Sequence, residues 1–239
     1  MLPSTFGEVL RARRIRRSLP AEVQERLRKV RRGFLDRPSL DQPLALARFV
    51  ALDLETTGPR MLVDRIISIG ALAVTDGTVR HDDAFETTLR QDRSSEVDNI
   101  LVHQIGGQEQ LGGTDPVEAL VCCLEFIGDS RIVAFRAEFD QTVFRREVRL
   151  RLGVHAWPRF IDLAALLPAM VPGTSNDTLD EWVAHFGLPP IGRHQAVADA
   201  YATAQLLMIV LQDAPRAGIE TSRDLHDAEQ AQRWLGRRR

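Results

Sequence analysis

Apolar residues fall along this chain either in short unbroken runs or in stripes of helical period. Phe49-Val-Ala-Leu52 and Ile66-Ile-Ser-Ile-Gly-Ala-Leu-Ala-Val74 are continuous, and the pattern predicts two buried strands. Thr56-Thr-Gly-Pro59 ends the first, and Asp76-Gly77 supplies a hairpin turn from the second into a third strand near 83–89. Asp115-Pro116 opens a helix reaching about Ile127. Ile132-Val-Ala-Phe135 reads as a fourth strand, followed by a helix over about 138–152. Phe160-Ile-Asp-Leu163 is a short fifth strand leading into a helix at 164–170, and two more helices are expected over about 178–186 and 195–211. The order βββαβαβαα implies an α/β architecture in which hairpin-joined strands lie beside parallel ones.

The ends of the chain read differently. Ser18-Leu19-Pro20 with Glu22 marks a helix start, after which Val23, Leu27, Val30 and Phe34 recur at helical spacing among Arg26, Lys29, Arg31 and Arg32. Residues 36–43 break the pattern and read as a linker. Beyond Asp213 the chain is polar and ends in Arg237-Arg-Arg239, a marginal helix or a frayed end. The expected organisation is a basic helical extension and linker (1–47), a main domain (48–212) and a polar tail (213–239).

A length of 239 residues, 44% hydrophobic and 27% charged, suits one mid-sized domain with an extension. No apolar run reaches the length of a membrane span, and the N-terminus lacks a basic-then-apolar signal design, so a cytoplasmic protein without membrane association is expected. Cys122 and Cys123 are adjacent, fit no zinc-ligand spacing, and read as small core-facing residues of the 117–127 helix. The net charge of −2 hides an asymmetry. Residues 1–48 carry 12 basic and 5 acidic side chains (+7), and the rest carries 19 basic and 28 acidic (−9). An acidic body must offset its charge if its substrate is a polyanion, and bound divalent cations do so locally.

Asp53-Leu-Glu55 stands at the end of the first strand, where residues two apart share a face and two carboxylates repel unless a cation intervenes. With 19 Asp and 14 Glu, about one Asp-x-Glu is expected by chance. The second copy, Asp227-Ala-Glu229, lies in the polar tail and reads as a solvated helix face. Asp140 follows the fourth strand near a helix start, where an Asp is more often a cap or dipole partner. His194 and Asp199, five apart, converge on one site if His194 sits in the loop before the last long helix.

In this order, the residues resemble the DEDDh exonucleases, the family of the proofreading epsilon subunit of bacterial DNA polymerase III. Asp53-Leu-Glu55-Thr-Thr-Gly58 is similar to the first family motif, Phe139-Asp140 to the second, and His194-x-Ala-x-x-Asp199-Ala200 to the third. The resemblance covers roughly residues 48–212. It implies a ribonuclease H-like fold, a mixed five-stranded sheet flanked by helices. Val102-His-Gln-Ile105 resembles a segment contacting the terminal nucleotide, with Asp98 as a companion, and 178–188 resembles the helix before the third motif. The second motif commonly reads His-Asn where this chain has Phe135-Arg136, which leaves Arg136 to meet a phosphate instead.

The resemblance further implies two Mg²⁺ or Mn²⁺ ions held by Asp53, Glu55, Asp140 and Asp199. His194 would be the general base, with nucleoside 5′-monophosphates as products. Leu54, Thr57 and His103 are candidates for the nucleotide pocket, with Leu54 equally readable as a plain strand residue. The basic extension is either a nucleic-acid footprint or a solvated helix docked through Val23, Leu27, Val30 and Phe34. Single-stranded DNA with a free 3′ end is the expected substrate. RNA is the alternative within the superfamily, and a catalytically silent nucleic-acid-binding or polymerase-associated module is the alternative outside it. About 27 polar residues follow Gln212 without a convincing clamp-binding peptide, so a stand-alone enzyme is expected rather than a dedicated replicative subunit.

Overall fold

A computed structural model describes residues 6–35, 42–155, 160–171, 177–189, 192 and 194–236. Its five strands are β1 (Phe49–Thr56), β2 (Ile66–Thr75), β3 (Thr78–Thr88), β4 (Arg131–Ala134) and β5 (Phe160–Asp162), ordered β3-β2-β1-β4-β5. β1, β2 and β3 are antiparallel, whereas β4 and β5 run parallel to β1. The helices are α1 (Phe6–Ser18), α2 (Ala21–Leu35), α3 (Val97–His103), α4 (Gly107–Gly112), α5 (Pro116–Ile127), α6 (Glu138–Leu152), α7 (Leu163–Met170), α8 (Leu179–His185), α9 (Ala196–Asp213) and α10 (Ser222–Gly236). Among the described residues no helix is long and apolar enough to cross a membrane.

β1 is buried on both faces because helices cover both, which is why its apolar residues run without alternation. Phe49 and Ala51 point into the core formed with α7, α8 and α9. Val50, Leu52 and Leu54 point the other way, into the core formed with α5 and α6. Asp76 (φ 54°) and Gly77 (φ 66°) are both left-handed, the conformation that a two-residue hairpin turn between β2 and β3 demands. Asp115 caps α5 by accepting from the Val117 and Glu118 amides, with Pro116 at the first helical position.

Several expectations are corrected. β1 continues through Thr56, and β3 begins at Thr78 rather than near 83, because the tight turn lets pairing start at once. α1 was not legible: its apolar positions are few, and of its described side chains only Ala12 is fully packed. α2 packs on the body through Val23 and Leu27, each worth about 1.5–3 kcal/mol of burial, with Val30 beside them. The side chain of Phe34, the linker over 36–41 and the final Arg237-Arg-Arg239 lie outside the described residues.

Where a marginal helix or a frayed end was expected, the described part of the tail forms α10, which packs on α7 and β5. Asp227 is exposed as the solvated-face reading requires, but Glu229 is only 1% exposed. Its Oε1 accepts from the Asp162 backbone amide at 3.2 Å and pairs with Arg233 Nε at 2.8 Å, while Arg233 also reaches Asp162 Oδ2. A buried carboxylate is tolerable only with such partners. Cys123 is fully buried, and Cys122 is half-buried against Glu118 and Arg26.

Candidate active site

Asp53 and Glu55 lie on the α9 side of β1, two residues apart. Asp53 pairs across the ladder with Gly70 of β2. A Cβ at position 70 would stand 2.1 Å from both the Ala196 carbonyl carbon and the Val197 amide nitrogen. Glycine there lets the backbone of the first turn of α9 lie directly on the sheet. Asp199, in that first turn, is thereby brought beside the strand end. Ligand oxygens of Asp53, Glu55 and Asp199 lie within 4.8 Å of one another. Sequence reading passed over Gly70, although a glycine inside an otherwise bulky strand is the ordinary signal of close backbone approach.

Asp140 enters from the other side. β4 pairs with β1 only as far as Ala51↔Val133, so the rest of that β1 edge is open to the turn preceding α6. Asp140 sits in the first turn of α6 and is buried. Burial pushes its carboxyl up to about 8, and the Glu55 and Asp162 charges add to the rise. Backbone N–H groups, its own and that of Leu54, offset only part of it. Three carboxylates thus form a triad with no histidine or thiol ligand in it, and the fourth, Asp140, lies near enough to Glu55 for its charge to be felt. That all-oxygen donor set fits a hard divalent cation such as Mg²⁺ or Mn²⁺ rather than zinc.

His194 precedes the N-cap of α9 with φ 60°, and its backbone amide donates to Asp199 Oδ2 at 3.3 Å. The imidazole is exposed and stands outside the triad. Arg136, just before α6, is likewise exposed and left-handed (φ 56°), close enough to Glu181 for its charge to be felt there. Two non-glycine residues held in this costly conformation therefore flank the carboxylates, in the turns that launch α6 and α9.

The remaining sequence candidates separate. Leu54 packs in the core with Leu52, Ile66 and Ile69. His103, read from the sequence as a candidate for the nucleotide pocket, is 1% exposed. Its Nδ1 accepts from the Ile105 amide, and its Nε2 meets Asn99 Oδ1 at 2.9 Å, so both ring nitrogens are occupied; burial lowers its pKa. The same Asn99 donates through Nδ2 to the Thr56 carbonyl, tying α3 to the end of β1. Thr57 closes the 57–65 loop by accepting from the Arg65 amide and donating to Asp64. Gly58 belongs to that closure, since a Cβ there would lie 2.8 Å from Asp64 Oδ2. Asp98 is exposed in the first turn of α3. Sequence reading did not single out Leu62 and Val63 of the loop, nor Leu101 of α3, all more than half exposed. A separate cavity of about 900 Å³, bordered by Val79, His81, Tyr201 and Met208, shares no residue with the carboxylates.

Residues 50–207 match the RNase T family, described as exonuclease. Among individual proteins, the chain is 33% identical over 187 residues to the PolC-type DNA polymerase III of Thermotoga petrophila, covering 76% of this chain and 13% of that one. It is 29% identical over 180 residues to its Bacillus subtilis counterpart, covering 75% and 12%. The chain therefore spans about an eighth of the length of these relatives. Its fold is similar to E. coli exonuclease I in complex with a dT13 oligonucleotide (TM-score 0.62, 20% identity, covering 72% of this chain and 42% of that one). It is also similar to exonuclease X in complex with 5′ overhanging duplex DNA (TM-score 0.57, 20% identity, covering 77% and 99%). The mixed sheet is thus the ribonuclease H-like one.

Proposed function

We propose, from the premise that this chain belongs to the RNase T exonuclease family, that it removes nucleotides stepwise from the 3′ end of single-stranded DNA and releases nucleoside 5′-monophosphates. The observation that carries this reading is the convergence of Asp53, Glu55 and Asp199 within 4.8 Å, with Asp140 buried across the strand end. A family of this kind hydrolyses nucleic acids with divalent cations, and the DNA-bound exonucleases of similar fold favour DNA over RNA.

Asp53, Glu55 and Asp199 would hold one cation, and Asp140 with Asp53 would hold a second. Bound there, the cations supply charge stabilisation to the phosphoryl oxygens and acidify a water. His194 is the general base: its exposed imidazole takes the proton of the attacking water, with the adjoining backbone anchored to Asp199. The new P–O bond forms as the bond to the 3′ oxygen breaks, and that oxygen leaves with a proton from solvent. Arg136 meets a phosphate beside the α6 turn. Leu62, Val63 and Leu101 offer apolar contact to the terminal bases, on a loop and helix both tied to the end of β1. Asp98, exposed on the same helix, would contact the terminal nucleotide.

The test offers 5′-labelled single-stranded DNA, mismatched duplex and RNA to the chain with Mg²⁺, Mn²⁺ or chelator. A metal-dependent ladder that shortens from the 3′ end, fastest on single-stranded DNA, is expected. RNA cleaved faster than DNA would reassign the substrate, and no cleavage of any polymer would leave a silent binding module.

A further inference from the structure

The two N-terminal helices carry similar charge but dispose of it differently. On α2, Arg26 lies between Glu118 and Glu125 of α5 at 2.7 and 2.6 Å, and Arg28 pairs with Glu25. α1 carries five arginines against one glutamate. Arg11, Arg13, Arg14 and Arg17 are exposed, and among the described residues no ion pair holds them.

This is not a loosely tethered helix. Gly153 (φ 62°), the C-cap of α6, approaches α1 so closely that a Cβ there would lie 2.2 Å from the Ala12 carbonyl oxygen. Ala12 is buried at that crossing, and Ile15 and Leu150 border a recess of about 80 Å³ flanked by Arg11 and Arg149. A positive face is therefore held in place on a body whose net charge is negative, with these four cations in no ion pair with the body's described carboxylates. Cations serving to neutralise the body would pair with it, as Arg26 does. A fixed, unneutralised row of guanidinium groups is complementary to a polyanion.

Its position suggests which one. α6 has Asp140 in its first turn and meets α1 at its last, so its 15 residues set the patch about 20 Å from the carboxylates. We propose that α1 is a backbone-binding arm. In this assignment Arg11, Arg13, Arg14 and Arg17 hold phosphates of the single strand whose 3′ end lies in the carboxylate site. The inference rests on the exonuclease reading and deepens it. The distance gives the arm a length threshold. A strand spanning about 20 Å needs about six nucleotides at the ~3.4 Å spacing of a stacked strand, so shorter substrates do not reach the arm.

The experiment compares the full chain with a variant carrying Arg11→Gln, Arg13→Gln, Arg14→Gln and Arg17→Gln, which preserves helix propensity. Hydrolysis of dT3 and dT20 is followed over a range of salt, and binding of labelled dT20 is measured in chelator. For dT20 the variant should raise KM at least tenfold. It should also lower the salt slope of log(kcat/KM) by up to ~2.8, at ~0.7 per phosphate contact on a single strand. kcat on dT20 and all kinetics on dT3 should stay within twofold, and Arg→Lys at the same four positions should restore most of the KM. Unchanged KM and slope on dT20 would overturn the arm, as would equal losses on dT3 and dT20, which mark a structural role. Loss of binding to phosphatidylserine vesicles with dT20 binding intact would assign the patch to a membrane surface and overturn it too. If no substrate is cut, the exonuclease reading fails, and the dT20 binding comparison still decides whether α1 holds a strand.

Discussion

The two faces of β1 reach the same chemical centre by opposite routes. On one face, Asp53 and Glu55 meet Asp199 because Gly70 lets the backbone of α9 rest on the sheet. On the other, Leu54 packs into an ordinary apolar core, and Asp140 arrives at an unpaired strand edge in a setting that burial makes unfavourable to its charge. The first face is built by close packing and the second by incomplete pairing. A site needing several carboxylates together is thus assembled from elements that tolerate charge separately, with cations to reconcile them.

The comparison is broken most severely at the triad. Asp53→Asn should lower kcat beyond the ~10²–10⁴-fold range of a lost proton transfer, because a ligand common to both proposed cations disappears. A variant turning over like the parent would remove Asp53 from the site. His194→Ala should fall within that ~10²–10⁴-fold range and leave divalent-ion binding intact. Single-turnover rates and ion titration separate the two effects.

Gly70→Ala attacks the packing rather than the chemistry. Its methyl would overlap the Ala196–Val197 backbone, so α9 must shift; unfolding should become easier by about 1–3 kcal/mol, with activity lost in parallel. Parent-like unfolding and kinetics would show that α9 does not depend on this contact.

The second face gives a pH signature. The Asp140 carboxyl is raised from its ordinary range to about 8, so between those limits the folded, metal-free chain binds more protons than the unfolded one. This contribution to stability is present at low pH and is lost as pH rises through about 8. Without metal, Asp140→Asn should therefore melt above the parent at pH 8.5 by a few degrees and match it more closely near pH 4. Mg²⁺ should stabilise the parent more at pH 8.5 than at pH 6. The opposite ordering in scanning calorimetry would contradict the assignment. The smallest kinetic effect belongs to Leu54→Ala, which should destabilise by about 2–5 kcal/mol while leaving KM nearly unchanged in the folded protein. A raised KM would restore Leu54 to the nucleotide pocket.

Much of this was legible in the sequence because it is local. Continuous apolar runs marked the strands, Asp115-Pro116 the start of α5, and Asp76-Gly77 the hairpin. The carboxylates were legible through their order on those elements, although each pair alone is near chance frequency. What was missed depends on contacts across the chain. Glu229 reads as a solvated residue until Asp162, 67 positions away, is seen to share it with Arg233. His103 is a nucleotide-pocket candidate by its motif, but its ring contacts to Asn99 and the Ile105 amide show only in the structure. α1 is hidden because its docking rests on Ala12 against Gly153, a contact of small residues that leaves no hydrophobic stripe.

The carboxylate centre itself is most directly tested by titrating Mn²⁺ into the metal-free chain and into Asp53→Asn by calorimetry at pH 8. Two bound ions in the parent, and loss of at least one in the variant, are expected. A parent chain that binds no Mn²⁺, or a variant that binds as the parent does, would contradict the assignment of Asp53, Glu55, Asp140 and Asp199 as a metal centre.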